Sequence, residues 1–177
     1  PTPLAITSSA TDASCNGFAD GEVTTTVTGG TAAVDYIYDW VDQATATNIG
    51  NTPTVTGLAI GTYCVTVIDD VPDTSVACIT LTEAPVLVVN VQASPDNGTG
   101  TGSAYANISG GQPFTSPPAY TVVWDTDPVQ TGIIASGLDA GTYSYTVTDA
   151  LGCEFTGEVS IMYVGIEELT GLDSFNY

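Results

Sequence analysis

The side chains available for chemistry in this chain are few in kind. Its 177 residues contain no Lys, no Arg and no His against 20 Asp and Glu, a formal net charge of −20. Without His there is no imidazole to activate a serine or cysteine, and without Lys there is no Schiff base. Carboxylate, thiol and hydroxyl chemistry remain. Paired carboxylates cleave glycosides when a cleft holds them a few ångströms apart, but no spacing here marks such a pair, and the chain reads as not an enzyme. Carboxylates also bind calcium, which takes roughly six to eight oxygen ligands. Asp69, Asp70 and Asp73 cluster between two extended segments, near Glu83, and are the candidate calcium ligands. No EF-hand spacing accompanies them, and a solvated acidic turn is the alternative reading. No other cofactor is implied.

The thiols are Cys15, Cys64, Cys78 and Cys153. None forms a C-x-x-C pair, and no His is present to complete a mixed zinc site. Disulfides are the expected use, which points to an oxidising compartment or the cell exterior. More than one connectivity is open. Cys64 and Cys78 both fall in an outward phase with Thr neighbours, so a local bridge across a hairpin is one of them.

The missing cations exclude partners. Nucleic-acid binding requires cations that displace the counterions of phosphate, and docking to anionic lipid requires them too. Charged residues are only 11% of the chain and hydrophobic ones 43%, so this is a packed protein rather than a disordered acidic tail. No apolar run is long enough to span a membrane, so direct insertion is not expected. The opening Pro1-Thr2-Pro3, without an initiator Met, reads as an internal or processed fragment.

The elements that must position these groups come in two sets. Gly57-Leu-Ala-Ile-Gly-Thr-Tyr-Cys-Val-Thr-Val-Ile-Asp69 returns as Gly137-Leu-Asp-Ala-Gly-Thr-Tyr-Ser-Tyr-Thr-Val-Thr-Asp149, an offset of 80 residues. Gly29-Gly30 returns as Gly110-Gly111, and Trp40 as Trp124. Fixed order with drifting offset means homologous modules with loops of unequal length. The modules are placed at 1–85 and 86–163, with a tail at 164–177. Period-two patterning predicts strands at 4–10, 22–28, 34–41, 54–58, 62–68 and 77–83, then at 86–93, 103–109, 120–125, 133–136, 142–148 and 154–162. Alternation assigns Tyr36, Tyr38 and Trp40, and Tyr63, Val65 and Val67, to the core; Tyr120, Val122 and Trp124, with Tyr143, Tyr145 and Val147, match them. Leu58-x-x-Gly61-x-Tyr63 and Leu138-x-x-Gly141-x-Tyr143 have the form of a tyrosine corner. Trp40, Tyr63, Trp124 and Tyr143 are therefore structural residues. The fold class is all-β: two tandem immunoglobulin-like Greek-key β-sandwich domains.

These motifs resemble the SprB repeat of Bacteroidota cell-surface and gliding adhesins. The match runs through Gly-Gly, the Tyr/Trp strand, Gly-Leu-x-x-Gly-Thr-Tyr-x-x-Thr-Val-x-Asp, an early Ser14-Cys15-Asn16-Gly17 and a late Asp149-Ala150-Leu151-Gly152-Cys153. The second module lacks the early Cys, and the first stretches the late turn towards Cys78. The resemblance implies a Cys15–Cys78 disulfide, with Cys64–Cys78 the alternative; Cys153 would then be a small packed residue or a link to a neighbouring chain. Residues 164–177 resemble the lead-in to a type IX secretion sorting domain. Asp73-Thr74-Ser75 and Asp173-Ser174-Phe175 resemble O-glycosylation sites of that phylum, with Thr74 and Ser174 as acceptors, while Asn97 and Asn107 begin N-glycosylation triplets. The implied function is that of a non-catalytic, secreted stalk or adhesive module working by multivalent contact and spacing. Its partners would be neighbouring repeats, surface glycans or copies of itself. A subunit of a self-assembling extracellular fibre, or an accessory glycan-binding domain of a carbohydrate-active enzyme, are the alternatives.

Overall fold

The computed structural model describes residues 2–31, 35–71 and 73–165. The chain divides into two compact units, Pro1–Val86 and Leu87–Tyr177. The described residues contain strands and no helix.

In the first unit the strands are β1 (Ala5–Thr11), β2 (Gly21–Thr28), β3 (Ile37–Asp42), β4 (Thr47–Gly50), β5 (Thr54–Leu58), β6 (Gly61–Ile68) and β7 (Thr74–Leu81). They form a three-stranded sheet in the order β1-β2-β5 and a four-stranded sheet in the order β4-β3-β6-β7. In the second unit they are β8 (Val88–Ser94), β9 (Gly102–Ser109), β10 (Thr121–Trp124), β11 (Gln130–Thr131), β12 (Ile134–Leu138), β13 (Gly141–Thr148) and β14 (Glu154–Ile161). The orders there are β8-β9-β12 and β11-β10-β13-β14. Every strand pair is antiparallel, and the chain changes sheet between β2 and β3, between β4 and β5, and between β5 and β6. That is an immunoglobulin-like Greek key, and both units have it.

Alternation explains the strands. Along β6, Tyr63, Val65 and Val67 are buried while Thr62, Cys64 and Thr66 face outward. On β3 the same phase buries Trp40 completely. The first core joins Val23 and Leu58 of the three-stranded sheet to Trp40, Tyr63, Val65, Val67 and Leu81 of the four-stranded one. The second is built likewise around Trp124, Val122, Tyr145 and Val147. Both strongly favour β structure because branched and aromatic side chains suit a pleated, half-buried surface. Each sandwich is closed at one side by an isolated parallel bridge, Ala13 to Glu83 and Asp96 to Tyr163.

The structure adds β4 and β11 to the strands expected from sequence. They are four and two residues long, too short to carry a readable alternation. β7 begins at Thr74, earlier than the expected residue 77. The expected start of the third strand at Val34 lies outside the described residues.

Candidate functional site

The acidic turn connects β6 to β7. Asp69 stands at its head with its side chain directed inward, 7% exposed. One carboxylate oxygen accepts the N–H groups of Val71 (3.0 Å) and Asp73 (2.9 Å), and the other accepts the N–H of Thr31 (2.9 Å). The two within-turn bonds fix the turn's shape. The third ties it to the loop that follows β2. Hydrogen bonds from Asp73 and Thr31 favour the charged form and, against the cost of burial, hold the Asp69 carboxyl below its ordinary value.

The second unit repeats this device atom for atom. Asp149, 1% exposed, accepts Leu151 N–H and Cys153 N–H on one oxygen and Gln112 N–H on the other, at 2.9, 2.9 and 2.8 Å. Gly111, at a φ of 56°, lets the backbone pass so close that a Cβ there would lie 2.7 Å from the Asp149 carboxylate. Asp69 and Asp149 are the last residues of the repeated motif, and their common role is to clamp two loops at one end of each sandwich. Sequence reasoning missed it. The signal was present, because Asp69 recurs 80 residues on as Asp149 whereas Asp70 and Asp73 are replaced by Ala150 and Cys153.

This geometry bears on the calcium expectation. Asp69 directs its oxygens at backbone amides, and among the described residues no group of three or more acidic or cysteine side chains is arranged to hold a metal. The acidic turn instead borders an open cavity of about 530 Å³ lined by Thr2, Pro3, Gly30, Thr31, Asp69, Val71 and Asp73. In variable immunoglobulin domains the corresponding loops form the binding end. Here the cavity offers one buried carboxylate already hydrogen-bonded, a hydroxyl pair and exposed Val71, with no nucleophile–base pair.

The disulfide expectation from the family resemblance is corrected. Cys64 pairs with Cys78, S–S 2.05 Å, the alternative that the residues themselves allowed. The register of β6 and β7 sets these residues directly opposite, Cα–Cα 4.0 Å, on the outer face. Cys15 lies at the far end of β7, where Ala13 bridges Glu83 and the Glu83 carboxylate accepts Asn16 Nδ2–H and Gly17 N–H. Glu83 lies five positions along the extended chain from Cys78, roughly 16 Å away, beyond the reach of a disulfide. The late turns are also equal in length. Asp73 and Cys153 occupy one position, each giving its N–H to the buried Asp, and the second unit has Ser144 opposite Glu158 where the first has its bridge. None of the described cysteines, Cys153 included, is a free thiol.

The aromatic residues hold the scaffold. Tyr63 donates its hydroxyl to Ala59 O (2.9 Å) and Tyr143 to Asp139 O (3.0 Å), the tyrosine corners that the spacing predicts. Burial, with the Asp42 charge, pushes the Tyr63 phenol up. Trp40 Nε1–H donates to Thr52 O and Trp124 Nε1–H to Gly132 O. A second pair of tyrosines does work that the alternation did not reveal: Tyr36 donates to Gly29 O (2.8 Å) and Tyr120 to Gly110 O (2.7 Å). Each closes the loop that follows the second strand of its unit.

Of the modification candidates, Asn97, Asn107 and Thr74 are exposed. Asn97 Oδ1 accepts the hydroxyls of Thr99 and Thr101, at 2.7 and 2.9 Å, while Asn107 projects from the outer face of β9. Ser174, and the tail residues 166–177 compared with a sorting-domain lead-in, lie outside the described residues.

The topology and the clamps define a class, an immunoglobulin-like β-sandwich module. No protein-family model matches the chain, and no curated protein matches it. Among solved structures it is similar to an amphioxus IgVJ-C2 molecule, with 14% identity and a TM-score of 0.34 over 88% of this chain and 96% of that one. It is similar also to fibronectin(III)-like modules of Clostridium thermocellum CbhA, with 13% identity and a TM-score of 0.37 over 92% of this chain and 94% of that one. A complex of Dpr11 IG1 with DIP-gamma IG+IG2 gives 11% identity and a TM-score of 0.32, covering 92% and 91%.

Proposed function

We propose that this chain is a pair of non-catalytic repeat modules from a secreted cell-surface adhesin or stalk of the SprB type, acting by multivalent weak contact and by spacing. The observation that supports this reading is the duplication of scaffold alone. Tyrosine corner, buried Trp, loop-closing Tyr and clamping Asp occur in both units. What differs between the units is the dressing of faces and loops. Repetition of a frame with divergent surfaces suits a protein that gains strength from copy number. A disulfide on the exposed face suits secretion, and type IX export in a gliding bacterium is the route that the family resemblance suggests.

The test is adhesion at controlled valency. Beads carrying many copies of the chain are expected to resist flow over polysaccharide-coated and bare glass, while single copies in solution compete poorly. Beads that detach like uncoated ones would end the adhesive reading.

A fibre subunit is the second reading, favoured by one feature. β7 is an eight-residue edge strand, Thr74–Leu81, without charge or proline, and such an edge is a template for strand addition. Electron micrographs of the concentrated chain would show filaments under this reading and dispersed particles under the first.

A further inference from the structure

The outer face of the β8-β9-β12 sheet is unlike the rest of this molecule. None of the chain's 20 acidic residues falls on its three strands. In a protein of formal charge −20 this is a neutral island. Two cross-strand rows occupy its centre. Gln92, Tyr105 and Ile134 are aligned across the three strands, and beside them Asn90 stands opposite Asn107. Directly opposed side chains in a sheet have Cβ atoms about 4.5–5.5 Å apart, so the rows form one continuous surface.

Tyr105 is set apart from Tyr120, Tyr143 and Tyr145 of the same unit. Tyr120 and Tyr143 donate their hydroxyls to backbone carbonyls, and Tyr145 packs against Trp124 and Phe155. Tyr105 is 42% exposed, Ile134 beside it 56%, and among the described residues no hydrogen bond or ring contact holds the Tyr105 side chain. The amides of Asn90, Gln92 and Asn107 are likewise uncommitted and exposed.

We propose that this face is a binding platform for neutral saccharide chains, with the Tyr105 ring stacking on the C–H face of a pyranose. The amides of Asn90, Gln92 and Asn107, each both donor and acceptor, would engage the ring hydroxyls. A phenol with an apolar body and a polar tip suits a ligand that is apolar on its faces and polar at its rim. Anionic glycans are disfavoured, because the chain has no cation to meet a uronate, sulfate or sialate and its overall field repels them. The first unit supplies an internal control. Gly21 and Gly102 are equivalent, so Glu22, Thr24 and Thr26 stand where the second unit has Ser103, Tyr105 and Asn107. A carboxylate and two threonines replace the platform. The proposal deepens the adhesive reading by giving one face a ligand class, and its biological use rests on that reading.

The experiment is titration of the whole chain with cellohexaose, xylohexaose and mannohexaose, with an oligogalacturonate as anionic control, followed by amide NMR shifts. At least one neutral chain is expected to move the signals of Asn90, Tyr105 and Asn107 while leaving Thr24 unmoved. Y105T, which copies the first unit, should weaken that binding about tenfold, near the upper end of what one stacked ring contributes, and Y105F should retain it. Both variants project outward, and an unchanged melting curve shows that they fold. No shift with any neutral chain at about 10 mM, a ligand level where even millimolar affinity shows, overturns the proposal. Equal binding of oligogalacturonate, or undiminished binding by Y105T, does the same. If beads carrying the chain adhere while no saccharide binds, the platform falls and the adhesive reading stands; if saccharides bind but beads do not adhere, the reverse holds.

Discussion

Removing the Cys64–Cys78 bridge perturbs the first unit alone, because the second has Ser144 and Glu158 at the same sites. The bridge spans a sequence separation of 14 residues. Chain-entropy reasoning for a closed loop of that size gives a loss of about 3 kcal/mol when it is opened. The folded state loses little packing, since Cys78 is exposed and both residues face outward on the sheet. For a unit of this size, about 3 kcal/mol lowers the melting temperature by roughly 12–24 °C. The double variant C64S/C78S leaves the other cysteines in place, which a reductant would not. Each unit has a single tryptophan, so Trp40 fluorescence in a W124F background follows the first unit and Trp124 fluorescence in a W40F background follows the second. Urea unfolding should show the Trp40 transition at a lower midpoint with an unchanged slope, and the Trp124 transition unmoved. A loss below about 1 kcal/mol would refute the entropy argument and mean that the β6–β7 hairpin keeps its register in the unfolded chain.

Other outcomes follow from the same structure. Y63F and Y143F each remove one hydroxyl-to-carbonyl bond and should cost about 1 kcal/mol in their own unit by urea melts. D149A strands three backbone N–H groups, those of Leu151 and Cys153 in the β13–β14 turn and that of Gln112 in the loop after β9, and should destabilise the second unit by about 3–5 kcal/mol, while D149N recovers part of it. The carboxyls of Asp69 and Asp96 lie below their ordinary 3.8 in the fold, so their contribution is complete above that value and lost as pH falls through the lower folded value. Acid unfolding should therefore set in below about pH 4, and D69N should flatten that dependence for the Trp40 transition. Calcium and magnesium at equal millimolar concentration should raise the melting temperature alike if charge screening alone acts; a calcium-specific rise would mark the acidic turn as a metal site.

Much of the frame was legible because burial in a sandwich alternates with period two. Trp40, Val65 and Val67 are fully buried where alternation puts them, and both tyrosine corners close on the residues that the Leu-x-x-Gly-x-Tyr spacing indicates. The cysteines misled for an identifiable reason. Aligning Cys153 with Cys78 treated two thiols as equivalent, when the clamped turn makes Cys153 the counterpart of Asp73. The clamp itself was hidden in plain composition: an Asp beside other Asp residues reads as a cation site, and only the three amide donors that converge on it reveal a structural part. β4 and β11 left no pattern because a strand of four or two residues has no room for one. The Gln92–Tyr105–Ile134 row was illegible too, since β12 must come into register with the β8–β9 pair from some way along the chain before it exists.

The Tyr36-to-Gly29 and Tyr120-to-Gly110 bonds have a consequence for how such modules diversify. They fasten the two ends of a loop whose length differs between the units, the tyrosine following the glycine by seven residues in one and by ten in the other. The clasp is indifferent to what lies between. Lengthening a fastened loop adds only tenths of a kcal/mol in closure entropy, about 0.6 for a doubling. Insertions there are nearly neutral to folding, so a lineage of these repeats can draft new loops on a constant frame, and a laboratory can do the same by randomising residues 113–118 while leaving Gly110, Gln112, Tyr120 and Asp149 untouched.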